Sequence, residues 1–444
     1  MKRSSLCASA LVLGSAFFLR PAMADEQPRL WAPQLLGAQY TFIDQHQGRV
    51  HSPYAGPLSL RAQANQARSH TFGVYFGMPV APHAAVYLDV EMFRGEGVSN
   101  ATGLAGLTNG DVIRGGGSLS RNAYVARAFV TYDIPLGDAT TEIKRKMDQL
   151  PGQQADHRLG FKFGLLAVND DFDQSRYANS TRTQFLNWGL FNNLAWDFAA
   201  DTRGYTVGGV ATYANGPWIW RYGVYQMPVQ ANGQKLEGPI WRARNENLQL
   251  TWQADANGPA VWLLAFRNKA RMGIYRTVLA RAAQQGTTPD IRSDDRDGRH
   301  KYGIAAGFDL PLADDGDTGL FGRWGWNDGK TESFVFTEAD RNASFGGQMA
   351  GARWNRPRDR IALAFVVNGL SPDHRRYLAA GGSGFVLGDG RLNYGEEQIA
   401  EAYYELAATS FASVTADVQF IRHPGYNRDR GPARFVGLRV HLEY

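Results

Sequence analysis

Cysteine is almost absent from this 444-residue chain, and this limits the chemistry available to the protein. The one cysteine, Cys7, lies in a segment with a basic start, an apolar run over residues 6–19 and the motif Ala22-Met23-Ala24. These are the three parts of a secretory signal peptide with an A-x-A cleavage site. We predict that residues 1–24 are removed. The mature chain, residues 25–444, would then be a single barrel domain without disulfides or reactive thiols.

Long apolar runs, an excess of one charge and catalytic motifs are also lacking. No stretch after the signal approaches the roughly 18 apolar residues of a membrane helix. The 47 Lys and Arg residues exceed the 42 Asp and Glu residues by five, and losing the three basic residues of the signal leaves 5 − 3 = +2. That balance argues against a nucleic-acid-binding protein. The chain has no His-Glu-x-x-His and no Gly-x-Ser-x-Gly motif, so we expect no catalysis, no cofactor and no bound metal.

Glycine and aromatic residues, by contrast, are abundant: the chain has 50 glycines and is 12% aromatic. In its last eleven residues, 434–444, the even positions from 436 onward are apolar and most odd positions are polar or charged. In a β-strand these two sets lie on opposite faces. A strand with an apolar outer face, a polar inner face and an aromatic end is typical of an outer-membrane β-barrel.

The same alternation recurs along the chain, and short and long connections follow one another in turn. Short connections carry turn motifs such as Asn215-Gly216-Pro217, whereas the long ones include 96–122 and 168–202, which is the pattern of periplasmic turns and external loops. One long segment, 136–156, lies on the short-turn side. Its stretch 140–150 predicts a helix that plugs or caps the periplasmic end. We predict an all-β transmembrane barrel of sixteen antiparallel strands, near residues 35–45, 69–78, 84–95, 123–135, 157–167, 203–214, 217–228, 246–255, 259–268, 299–310, 317–326, 344–353, 359–368, 395–408, 411–422 and 432–444.

The inner faces of these predicted strands carry charges. On the third strand Asp89 and Glu91 face inward, and on the fourth Arg127 faces inward while Tyr124 and Ala126 face outward. Unpaired charges buried away from water cost several kcal/mol each. A barrel of about 16 strands with this interior is therefore predicted to hold water and to form a channel.

Five stretches in the same order carry a resemblance to a known family. They are 97–110; Gly325-Trp326-Asn327-Asp328-Gly329 with 336–341; 367–371 with 377–382; 394–399 with 403–404; and 426–432. On these motifs the chain resembles the carbohydrate-selective porin family of the OprB type over most of its mature length. The resemblance implies an outer-membrane porin of sixteen strands that admits sugars. It also implies that loops fold into the lumen and form an arginine-rich constriction.

Sugars present hydroxyl groups that donate and accept hydrogen bonds, and their rings stack on aromatic side chains. The glycine-rich loop 96–122 is predicted to help form the constriction, and loop 168–202 supplies an aromatic face if it folds inward. Each inward charge could equally pair with a neighbouring strand and only keep the lumen wet. Charges of both signs favour a neutral polar solute over a selective ion path. The candidate pore-lining residues are Asp89, Glu91, Asn100, Arg114, Arg127, Lys162, Trp188, Arg323, Asp417 and Arg439.

We interpret the chain as a passive channel for sugars and polyols in the outer membrane of a Gram-negative bacterium. The expected partners are small sugars, outer-membrane lipid and the barrel-assembly machinery that recognises the C-terminal strand, with no nucleic acid. The barrel is expected to be a monomer or a homotrimer. Three alternatives stay open: a channel for other small polar solutes such as organic acids, a lipase-type outer-membrane enzyme, and a structural or adhesive barrel.

Overall fold

Sixteen strands of the chain close into one antiparallel barrel. The structure, a computed structural model, describes residues 34–113, 119–335 and 338–444. The predicted signal peptide and Arg114 lie outside these ranges. The prediction of a sixteen-stranded barrel is confirmed, and each predicted strand overlaps an observed one.

Eighteen strands and three α-helices make up the regular structure described here. Strands β5 and β6 form a separate small hairpin, and the other sixteen form the barrel. The strands are β1 (Leu35–Gln47), β2 (Asn65–Ala81), β3 (Ala84–Gly95), β4 (Tyr124–Pro135), β5 (Thr140–Ile143), β6 (Gly152–Ala155), β7 (Arg158–Leu166), β8 (Thr206–Asn215), β9 (Trp218–Gln226), β10 (Arg244–Gln253), β11 (Ala260–Met272), β12 (Arg296–Ala313), β13 (Thr318–Asn327), β14 (Arg341–Gly351), β15 (Arg356–Gly369), β16 (Glu397–Ala407), β17 (Ala412–Arg422) and β18 (Ala433–Glu443). The helices are α1 (Trp188–Phe191), α2 (Tyr275–Gln285) and α3 (Pro372–Ala379). In the described part of the chain, no helix is long and apolar enough to cross a membrane.

The first and last strands close the barrel. Strand β18 pairs antiparallel with β1, from Gln39 opposite Glu443 to Gln47 opposite Phe435. The C-terminal residue continues the ladder, because the Tyr444 amide donates to the Ala38 carbonyl at 2.9 Å. Closure leaves no open sheet edge, and an open edge is what lipid does not tolerate.

The connections have very different lengths at the two ends of the barrel. At one end of the barrel most connections are turns of a few residues, and the start of β1 and the end of β18 lie at this end too. All three helices lie in the loops at the other end. Three of these long loops are named by their order at the external end: L2 (96–123), L3 (167–205) and L6 (328–340). Short periplasmic turns and long external loops are the arrangement of bacterial barrels.

The outer wall is apolar as the alternation predicts. Phe163, Leu263 and Leu438 are 63%, 59% and 46% exposed, whereas inward neighbours such as Arg439 are buried. In a membrane these exposed side chains face lipid rather than water. The predicted inner and outer faces therefore hold for most of the wall.

The prediction for the start of β4 is wrong at two residues, Tyr124 and Ala126. Asp89 pairs with Arg127, but the next residue of β3 pairs with Val125, so one extra residue is inserted in β4. Such a β-bulge reverses the faces on one side of the insertion. Ala126 is fully buried and Val125 is 48% exposed, so Tyr124 points into the lumen and Val125 points outward.

The segment between β4 and β7 also differs from the prediction. Residues 140–150 are not helical: β5 pairs with β6, with Ile143 opposite Gly152. Residues 144–151 form the tip of this hairpin and turn back under the barrel, where Met147 and Leu150 pack against the wall.

The interior is more tightly packed than a simple water-filled lumen. The described residues of L2 and L3 fold inside the barrel, and their apolar side chains form a core that includes wall residues of β13 and β15–β18. The loops approach the wall closely at Gly325, where a Cβ atom would lie 2.2 Å from Asn193 Oδ1. Glycine is required there because any side chain would displace L3.

Candidate functional site

A cavity of about 330 Å³ remains between the loops and the wall formed by β2, β3 and β4. It extends from Arg203 of L3, at the external rim, to Met147 in the tip of the β5–β6 hairpin at the periplasmic end. Its polar and aromatic lining comes from Thr71, Glu91, Asp111, Tyr124, Arg127, Asp170, Arg182, Trp188 and Tyr205. Both L2 and L3 therefore bound the passage.

The first charged cluster of the cavity is centred on Glu91. The Arg182 Nη2 donates to Glu91 Oε1 at 2.9 Å, and its Nε donates to Asp111 Oδ1 at 2.9 Å. Two phenols, Tyr205 and Tyr124, donate to Glu91 Oε2 at 2.6 and 3.2 Å. The bulge in β4 is what brings Tyr124 to this carboxylate. Wall and loops are thereby joined through one carboxylate.

The second cluster is centred on Arg127. Its guanidinium makes a bidentate contact to Asp170, with distances of 2.7 and 2.9 Å. Asp89 lies 3.3 Å from Nη1, and Asp148 of the hairpin tip lies 3.4 Å from Nε. Bidentate pairs of this kind fix the orientation of both groups. The guanidinium also lies over the Tyr205 ring, 5.3 Å from its centroid, which links the two clusters.

Two loop charges of these clusters, Asp170 and Arg182, are held in their ionised forms. Burial alone would raise the pKa of Asp170, but Arg127 and Lys162 bring that pKa below its usual value. Burial alone would lower the pKa of Arg182, but Glu91 and Asp111 raise it well above its usual value. The cavity therefore presents fixed charges of both signs, and each guanidinium is matched by carboxylates.

Three aspartates of L3 pair with three cations of the wall. Asp170 contacts Arg127 at 2.7 Å, Asp171 contacts Lys162 at 3.0 Å, and Asp173 contacts Arg323 at 3.0 Å. These acids belong to the run Asp170-Asp171-Phe172-Asp173, and the cations lie on β4, β7 and β13. The acidic run complements the inward cations and docks the loop against the wall.

Three of the predicted pore-lining residues do not line the cavity, and two of them hold L3 in place. Arg323 donates to the carbonyls of Leu190 and Ala178 at 2.8 and 2.7 Å. Arg439 donates to the carbonyls of Thr181 and Gln184. Asp417 is 1% exposed, behind L2 and L3. Sequence alternation assigned their faces correctly but could not show that loops cover them.

The other predicted residues are placed in three different surroundings. Asp89, Glu91 and Arg127 meet in the two clusters described above. Trp188 lies in α1, is 6% exposed and lines the cavity. Lys162 is paired with Asp171, away from the cavity lining. Asn100 is exposed and accepts a hydrogen bond from Arg61.

Several residues of the site were missed by sequence reasoning, namely Asp111, Tyr124, Asp148, Asp170, Arg182 and Tyr205. The acidic run starting at Asp170 was a usable signal for the docking of L3, because inward cations on the wall are expected to pair with carboxylates of a loop. Nothing in the sequence around Arg182 marks it, since its role depends on how L3 folds.

Comparisons with known proteins agree with this architecture. A model of the family described as "Carbohydrate-selective porin, OprB family" matches residues 80–444. A search of curated proteins returned no match.

Several solved structures share the fold. The high-pH structure of Pseudomonas putida OprB superposes with a TM-score of 0.64 at 15% identity, covering 93% of this chain and 94% of that one. The outer-membrane channel DcaP of Acinetobacter baumannii gives 0.52 at 12% identity, covering 92% and 96%. The anion-selective porin from Comamonas acidovorans gives 0.52 at 9% identity, covering 92% and 99%. At these identities the likeness concerns the fold alone. The family match settles the identity: the chain belongs to the carbohydrate-selective porins of the OprB family and is a sugar channel of the Gram-negative outer membrane.

Proposed function

We propose that sugars cross the barrel through the cavity between L2, L3 and the β2–β4 wall, and that the clusters around Glu91 and Arg127 are their contact site. The observation that carries this proposal is the alternation of guanidinium, carboxylate and phenol groups around one passage. A sugar hydroxyl both donates and accepts hydrogen bonds, so it exchanges partners along such a lining without leaving a polar group unsatisfied. Trp188 and Tyr205 offer aromatic faces for the apolar side of the ring.

The charge pattern favours a neutral sugar over an organic acid. A channel selective for anions uses unpaired cations along its path. Here Arg182 is shared by Glu91 and Asp111, and Arg127 is shared by Asp170 and Asp89. A carboxylate solute would have to compete with these fixed acids. The expected activity is therefore passive diffusion of neutral carbohydrates.

A lipase-type activity is not supported by a group among the described residues that resembles a catalytic triad. Ser371, His374 and Asp340 are neighbours in the external loops, and His374 Nδ1 lies 3.1 Å from Asp340. However, the Ser371 hydroxyl donates to the Gly329 carbonyl and accepts from the His374 backbone amide, as the N-cap of α3. Its role is helix capping, and His374 is fully buried.

The proposal is tested by sugar block of the ion current through single channels in a planar bilayer. Arg182→Ala removes one guanidinium and frees Glu91 and Asp111, so we expect a weaker block by neutral sugars and a shift of ion preference toward cations. Arg267→Ala is the matched control, because Arg267 pairs with Glu246 on an exposed part of the wall. Unchanged sugar block in Arg182→Ala would contradict the placement of the site.

Further features of the assembled protein are also proposals. We propose that the mature protein is residues 25–444, one barrel domain, since a single closed sheet runs from β1 to β18. The exposed C-terminal Tyr444 (84% exposed) suits recognition by the barrel-assembly machinery. Chemical cross-linking in detergent would distinguish a monomer from a homotrimer.

A further inference from the structure

The hairpin tip, residues 144–151, lies at the periplasmic end of the lumen and contacts strands β1 and β3 of the barrel. The Gln39 side chain of β1 donates to Met147 Sδ at 3.3 Å, and the Arg145 guanidinium donates to the Leu36 carbonyl at 2.7 Å. The Leu150 amide donates to the Tyr87 hydroxyl of β3 at 3.3 Å. These contacts hold the tip against the inner wall.

Asp148 is the residue of the tip that contacts the charged cluster around Arg127. Its carboxylate lies 3.4 Å from Arg127 Nε, in the same guanidinium that contacts Asp89. Asp148 has a left-handed backbone with φ of +59°, in a turn closed by two backbone hydrogen bonds between Lys146 and Gln149 at 3.2 Å. Aspartate tolerates this conformation better than most residues. The turn therefore presents Asp148 to Arg127.

Neighbouring residues of the tip line two different spaces. Met147 lines the cavity that holds the Glu91 and Arg127 clusters. Arg145, two residues earlier, lines a second cavity of about 860 Å³ at the periplasmic mouth, together with Leu36, His441 and Tyr444. The tip thus stands between the sugar-contact site and the periplasm.

We propose that the hairpin tip forms the periplasmic restriction of the solute path, and that Met147 is a specificity-determining residue of that restriction. The proposal rests on the proposed sugar path through the cavity. A solute that leaves the Arg127 cluster passes Met147 before it reaches the mouth. The size of the sugars that pass is therefore set at this point as well as by the external loops.

The tip is held by side-chain contacts and belongs to no ladder of the barrel, so it can be removed without opening the wall. Because Ile143 pairs with Gly152, replacing residues 144–151 with Asn-Gly leaves a two-residue hairpin turn that suits β5 and β6. We expect the shortened protein to admit larger neutral oligosaccharides into liposomes and to show a higher single-channel conductance. The control is Lys146→Ala, since the Lys146 side chain is exposed.

A second measurement covers the case in which the shortened hairpin impairs folding. A single cysteine is placed at Met147, and a bulky neutral thiol reagent is added to the open channel. We expect modification to reduce conductance and sugar uptake. The control is Gln153→Cys, on the exposed face of the hairpin, where modification should change neither.

The outcomes separate this inference from the proposed function. Failure of the wild-type protein to pass any sugar would contradict the proposed function itself. If the wild-type protein passes sugars, either of two results would overturn the restriction at the tip. One is unchanged size selection in the folded shortened variant, and the other is an unaffected current after Met147→Cys is modified. A larger size limit in the first variant and block in the second would support it.

Discussion

The ion pair between Arg323 and Asp173 gives the sharpest prediction about how L3 is held inside the barrel. Both side chains are fully buried, with Arg323 Nε 3.0 Å from Asp173 Oδ2. The guanidinium also donates to the carbonyls of Asp173, Ala178 and Leu190. Arg323→Ala would leave the Asp173 carboxylate with only neutral donors, the Trp262 indole and the Asn193 amide. It would also leave three carbonyls without their donor.

Breaking a buried ion pair by removing one partner costs about 3–5 kcal/mol. Most of this cost falls on the docking of L3, because the backbone ladder of β13 does not depend on the Arg323 side chain. Since about 1.4 kcal/mol is a factor of ten, the ratio of docked to undocked L3 should fall by roughly two to four orders of magnitude.

The assay compares limited proteolysis of L3 with single-channel conductance. We expect Arg323→Ala to keep the heat-modifiable barrel but to become cleavable within L3 and to conduct more, with frequent fluctuations. Arg267→Ala is again the control, because an exposed pair contributes at most about 1 kcal/mol. The combined variant Arg323→Met with Asp173→Asn should recover part of the protection, since no buried charge is left unpaired. Wild-type protease resistance and conductance in Arg323→Ala would refute this account of L3 docking.

Three further predictions concern the wall, its closure and the external loops. Leu363→Arg, on a lipid-facing position flanked by glycine and alanine on the neighbouring strands, should cost about 2–4 kcal/mol in a folding titration in lipid vesicles. Leu438→Arg should cost less because Asp44 lies opposite on β1, and the reverse order would show that the faces are misassigned. Deletion of residues 442–444 removes the last pairs with β1 and should lower the yield of heat-modifiable barrel; an unchanged yield would argue against closure through β18. In L6, burial raises the pKa of Glu332 to about 8, above its ordinary 4.5. The folded protein therefore holds an extra proton on Glu332. The stability that this proton contributes is fully present below about pH 4.5 and is lost as the pH rises through about 8. The protection of L6 amides, measured as the exchange rate relative to the intrinsic rate at each pH, should fall over that range in the wild type, and Glu332→Gln should abolish the fall.

The barrel could be predicted because the sequence pattern that identifies each strand lies within the strand itself. Alternation with a period of two identifies a strand and its two faces within about ten residues, and the C-terminal segment shows this most clearly. The bulge at Ala126 broke that rule, because one inserted residue changes the face without changing the composition. Residues 140–150 were predicted as a helix from their local pattern, but pairing of β5 with β6 overrides that preference.

The site was less predictable because it depends on loops that fold back on distant strands. Arg323 and Arg439 were correctly placed on the inner face, yet L3 covers them, so they hold the loop rather than contact a solute. Arg182 meets Glu91 across 91 positions of sequence, and no local pattern reports that contact. The prediction of a water-filled lumen rested on the cost of unpaired inward charges, whereas the aspartates of L3 pair with three of these charges.

Solute uptake into liposomes that contain the pure protein tests the central claim most directly. The series would compare neutral sugars of increasing size with anionic and cationic solutes of matched size. The account predicts faster entry of small neutral sugars than of either charged class, and slower entry of neutral sugars in the wild type than in the variant with the shortened hairpin. Equal entry of neutral and charged solutes, or no entry of sugars at all, would contradict it.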